Sequence, residues 1–75
     1  MYDNRLRELG LNIAYYRKMR GITQIQLAQM VDISRTHISN IEAPKIKKSV
    51  SIEIIFRIAD ALMVPVNRLF EFKTE

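Results

Sequence analysis

Leu6, Leu9, Ile13 and Tyr16 recur at spacings of three and four residues, so they line one side of a helix. The pattern predicts a first helix over residues 4–20, ended by Gly21, which can supply the backbone freedom of a helix C-terminus. Thr23 and Gln26 then form a capping-box pair, predicting a second helix over 24–31 with Leu27, Ala28 and Val31 inward. Ser34 is a suitable N-cap for a third helix over 35–42, with Ile38 and Ile41 inward. Pro44 closes that helix, because it disfavours helical geometry at Ala43 and donates no hydrogen bond. Ser51 caps a fourth helix over 52–62, whose apolar side is expected to carry Ile52, Ile55, Ile58, Ala59 and Leu62. After Val64 and Pro65, a short fifth helix is expected over 67–72. No stretch alternates with the period of a strand, so the fold class is all-α, five helices around one core.

The second and third helices are separated by a turn so short that they must cross steeply, as in a helix-turn-helix unit spanning about residues 24–43. Ala28 is small where two backbones approach, and Ile33 fills the wedge between them. Asp32 falls where a left-handed backbone is needed, a region Asp and Asn tolerate better than most residues.

Seventy-five residues suit a single domain, 1–75, with one core. The absence of cysteine and the single histidine, His37, exclude disulfides, a thiol nucleophile and a Cys/His zinc site. Two distant glycines cannot build a phosphate-cradling loop. The Ser and carboxylate residues converge on no nucleophile–base arrangement, so no enzyme activity, metal or cofactor is expected. A polar start and the lack of any long apolar run point to a cytoplasmic chain with no membrane partner. Charge changes the picture more. Residues 1–50 carry nine Lys/Arg against four Asp/Glu, whereas residues 51–75 carry three against four. An excess of positive charge in the first two-thirds favours a polyanionic partner.

The run Gln24-Ile-Gln-Leu27-Ala28-Gln-Met-Val31-Asp32-Ile33-Ser34, continued by Ile38-Ser39-Asn40-Ile41-Glu42, resembles the phage-repressor (Cro- and lambda-repressor-like, XRE-type) helix-turn-helix family. Residues 58–64 and Leu69-Phe70 resemble that family's later helices, so the similarity extends over about residues 9–70. It implies a compact five-helix lambda-repressor-like domain that binds double-stranded DNA and regulates transcription, from a position on the nucleoid. Projecting the third helix at about 100° per residue places Thr36, Ser39, Asn40 and Ala43 opposite Ile38 and Ile41, with Arg35 and His37 on the flanks. Such a short polar face suits the major groove. Asn40 can pair with adenine, Arg35 with guanine, the Thr36 methyl with thymine, and Ser39 completes the base-contacting set.

The resemblance also implies phosphate contacts from Gln24 and from the basic segment Lys45, Lys47 and Lys48, which Ser34 and His37 at the near end of the third helix would join. It further implies an ion pair between Arg17 and Glu42, which would fix the third helix against the first. Arg20 and Lys18 are weaker phosphate candidates. Family members usually carry glycine where this chain has Asp32, Pro44 and Met63. Pro44 rules out the usual glycine ending of the third helix, leaving the 44–50 path open. A left-handed Met63 would cost about 1–2 kcal/mol, so a different ending of the fourth helix is expected. The resemblance implies a homodimer, with Leu69 and Phe72 as contact candidates and Phe70 in the core. No domain for a small-molecule ligand is present, so control through a separate regulatory protein is expected. The alternative is a protein-interaction module that keeps the fold without reading DNA.

Overall fold

Three helix starts are set by hydroxyl side chains that replace a missing backbone partner. The computed structural model describes residues 4–44 and 50–72. Among them the chain forms α1 (Asn4–Met19), α2 (Gln24–Val31), α3 (Arg35–Glu42), α4 (Ile52–Leu62) and α5 (Val66–Leu69), with no strand. The Thr23 hydroxyl accepts the Gln26 N–H at 3.0 Å while the Gln26 side chain accepts the Thr23 N–H at 2.8 Å, a complete capping box. Ser34 caps α3 by accepting from the His37 N–H at 3.0 Å, and Ser51 caps α4 by accepting from the Glu53 N–H at 3.2 Å.

Three helix ends share one device. Gly21, Asp32 and Met63 all adopt the left-handed backbone, with φ of 69°, 61° and 58°. The next N–H in each case reaches back five residues: Ile22 to Arg17, Ile33 to Ala28 and Val64 to Ala59, at 3.0–3.1 Å. Ile22, Ile33 and Val64 pack against the core beneath these turns. The different ending of the fourth helix that strain at Met63 led us to expect does not occur. Two satisfied carbonyls and the packing of Val64 outweigh the cost of the left-handed residue. α3 ends without such a turn, Ala43 leaving the helical region at φ −140° ahead of Pro44.

The core is a continuous cluster in which Ile13, Leu27, Ile38, Ile55, Ile58, Leu62 and Leu69 are almost wholly buried. α2 and α3 pack on each other, α1 braces α3, and α4 lies against α2 and α5. Three expected placements are corrected. Ile52 is exposed, because the inward side of α4 is centred on Ile55, Ile58 and Leu62, a quarter turn away. The last helix starts at Val66 and stops at Leu69 instead of running over 67–72. There the Asn12 side-chain amide donates to the carbonyls of Leu69 at 2.9 Å and Glu71 at 3.0 Å, holding the chain on a path off the helix. Phe72 then turns to pack against the core, while Phe70 remains 40% exposed, the reverse of the expected burial. Among the described residues no helix is long and apolar enough to cross a membrane.

Candidate nucleic-acid interface

α3 is short, and its inner side is pinned by two independent features. Ile38 and Ile41 anchor it in the core. Behind its last turn, α1 approaches so closely that a Cβ on Gly10 would collide with the Ile41 carbonyl oxygen and sit 2.7 Å from that of Glu42. A lone glycine inside a helix costs about 1 kcal/mol relative to alanine, so a packing reason was the signal to look for there.

The second feature is polar. Arg17 and Glu42 are both buried, and their side chains meet in a two-pronged pair: Nε donates to Oε2 at 2.7 Å and a terminal nitrogen donates to Oε1 at 3.0 Å. The third arm of Arg17 donates to the Ile22 carbonyl at 2.8 Å, in the turn between α1 and α2. Gln24 Nε2 also donates to Glu42 Oε1, at 3.0 Å. One carboxylate on α3 thereby ties down α1 and the first residue of α2. Among the described residues no buried side-chain nitrogen or oxygen lacks a partner, the condition under which an internal charge pair is tolerated.

With its inner side held, α3 shows solvent a polar strip. Arg35, Thr36, His37, Asn40 and Ala43 are exposed and Ser39 is half-buried. Arg35 is the only cation on the helix, and no carboxylate lies on the outer side, since Glu42 faces inward. The strip offers a guanidinium, an amide, two hydroxyls and small apolar groups, and a base edge can be read by such donors and acceptors.

The proposed phosphate ligands divide. Ser34 and His37 stand at the start of α3, next to its outer strip. Gln24 opens α2 but spends one N–H on Glu42, leaving its other N–H and its oxygen for a ligand. Lys45, Lys47 and Lys48 lie outside the described residues. Arg20 is occupied elsewhere. It donates to the carbonyls of Leu62 at 2.7 Å and Met63 at 3.0 Å, closing the end of α4 with two of its three nitrogens. Lys18 is exposed on the outer side of α1. Leu69 is fully buried and cannot meet a second subunit without unfolding α5. Phe72 is half-buried; its edge-to-face neighbour Phe70 is the more exposed of the two. Among the described residues no cluster of His, Cys, Asp or Glu could hold a metal ion.

Residues 13–69 match the helix-turn-helix family. No curated protein matches the chain by sequence. Among solved structures, the restriction-modification controller protein C.AhdI from Aeromonas hydrophila is 26% identical, with a TM-score of 0.80 over 87% of this chain and 96% of that one. SinR, the master regulator for biofilm formation, solved in complex with DNA, is 27% identical with a TM-score of 0.75, covering 84% and 98%; its DNA-binding domain is described from Bacillus subtilis. The clp gene regulator ClgR from Corynebacterium glutamicum is 27% identical with a TM-score of 0.78, covering 84% of this chain and 65% of that one. The five-helix arrangement described above is thus the fold these regulators share.

Proposed function

Because the chain belongs to the helix-turn-helix family, we propose that two copies together bind a near-palindromic operator in double-stranded DNA, each laying α3 in the major groove. DNA-binding transcription regulation itself rests on that family and on the likeness to a controller protein, a biofilm regulator and a clp gene regulator. The observation that carries the finer reading is the division of α3 into a clamped inner side and an exposed polar strip. Arg35, Thr36, Ser39 and Asn40 contact bases. Ser34, His37, the free N–H of Gln24 and the lysines at 45, 47 and 48 take phosphates. The unbonded N–H groups at the start of α2 lie beside Gln24 and suit the same anion.

The two copies are related by a two-fold axis, which matches half-sites about 34–36 Å apart. Phe70 and the exposed edge of Phe72 are the contact candidates the fold leaves at the α5 end. The protein acts without catalysis, in the cytoplasm at the nucleoid. SinR is also known in complex with the SinI protein, and a separate regulatory protein is the corresponding proposal for control here.

The test is a titration of duplex DNA at increasing salt. A dimer neutralising about 6–10 phosphates should lose about 10³–10⁵ in affinity between 50 and 200 mM salt. Binding that is absent, or flat across that range, would favour a protein-interaction module instead.

A further inference from the structure

The carboxylate of Glu42 makes one bond more than a clamp between α1 and α3 requires. Its two oxygens accept the prongs of Arg17 at 2.7 and 3.0 Å, and Oε1 also accepts from Gln24 Nε2 at 3.0 Å. Gln24 is the first residue of α2 and Glu42 the last of α3, whereas the turn that joins these helices lies at the opposite end of each. The bond therefore ties together the two helix ends that the turn leaves apart.

It also decides how the Gln24 amide faces. A carboxylate only accepts, so the amide nitrogen and not its oxygen is held against Glu42, and the second N–H has no partner among the described residues. Nearby, the capping box uses the N–H groups of Thr23 and Gln26, while those of Gln24 and Ile25 stay unbonded among the described residues. Without its anchor the half-buried Gln24 side chain would turn about its torsions, and ordering it on a ligand would cost affinity. Arg17 adds an electrostatic condition. It offsets the charge of Glu42, so a carboxylate one hydrogen bond away does not repel an incoming anion.

Deepening the DNA-binding reading above, on which the inference rests, we propose that Glu42 is a positioning residue for DNA binding. It touches no DNA. It holds the Gln24 amide in the orientation in which the second N–H meets a backbone phosphate, and so fixes that phosphate relative to the base-reading strip of α3. Phosphate contacts of this sort carry no sequence information, but they set the register of the protein on the duplex.

The test is a cycle of full-length chains: the parent, Gln24→Ala, Arg17→Met with Glu42→Leu, and all three replacements together. Each is titrated at one salt concentration against the duplex that the parent enriches from a randomised pool. Replacing Arg17 and Glu42 removes one charge of each sign, so the long-range attraction to DNA is unchanged. In the parent, Gln24→Ala should weaken binding about tenfold, as loss of a hydrogen bond to a charged group does. With Arg17 and Glu42 replaced, the same change should cost about threefold or less, because the amide has already lost its hold. An equal loss in both backgrounds, or no loss in the parent, would overturn the proposal and leave the DNA-binding reading standing. A parent that binds no duplex would sink both. One further measurement needs neither DNA nor a folded variant: in the unbound parent, nitrogen relaxation of the Gln24 side-chain amide should match that of the α2 backbone. A Gln24 amide as mobile as that of the exposed Gln29 would refute the positioning role by itself.

Discussion

Glu42→Ala is expected to remove about 3–5 kcal/mol of folding stability, because it leaves the Arg17 guanidinium buried without its carboxylate. At about 0.05–0.15 kcal/mol per residue a chain of this length has only about 4–11 kcal/mol in total, so the substitution consumes a large share of it. Gln24 loses its partner in the same step, and among the described residues the Ile22 carbonyl is the acceptor left to Arg17. The double replacement Arg17→Met with Glu42→Leu removes both charges and keeps apolar volume, so it should recover much of the loss. Urea unfolding of the parent, the single variant and the double variant measures this directly. A single variant within about 1 kcal/mol of the parent would mean that water reaches the pair and that the clamp on α3 is loose.

Gly10→Ala should also destabilise, by about 1–3 kcal/mol or more, and here the sign is the informative quantity. Intrinsic propensity alone favours alanine in a helix by about 0.5–1 kcal/mol, so a residue merely tolerated at that position would gain from the change. The added methyl, however, would meet the backbone carbonyls of Ile41 and Glu42, and neither can swing aside as a flexible side chain would. α1 would have to move away from α3, loosening the Arg17–Glu42 geometry with it. A lower urea midpoint for Gly10→Ala is the expected outcome. A higher one would show that the two helices are not held at this separation.

How much of this was readable beforehand depends on how local each feature is. The starts of α2, α3 and α4 could be read from Thr23, Ser34 and Ser51 because a cap bonds within three residues of itself. Asp32 could be placed in a left-handed turn for the same reason. The resemblance paired Arg17 with Glu42, yet nothing local showed that Gln24 and the Ile22 carbonyl complete the cluster. Arg20 illustrates the difficulty. A surface arginine in a basic segment reads only as a phosphate ligand, and its structural bonds to the end of α4 show up only in the fold. Ile52 was misplaced because α4 is apolar at 52, 54, 55, 56 and 58, too wide a band for periodicity to choose its centre. α5 is a single turn of four residues, too short for a periodic pattern to repeat, and its end is set by Asn12, far away in sequence. Gly10 and Asn12 matter only through tertiary approach, so spacing along the chain could not identify them.

The most direct measurement of the role given to α3 is selection of binding sites from a pool of randomised duplexes, carried out in parallel with the parent chain and with Asn40→Ala. Asn40 is exposed and its side chain has no partner among the described residues, so the variant should fold as the parent does. The parent should enrich one sequence. The variant should still bind with a similar dependence on salt but lose its preference at one base pair per half-site, a discrimination of about 1–3 kcal/mol. A parent chain that enriches no sequence, or a variant that keeps the parent's preference at every position, would contradict the assignment of this face to the major groove.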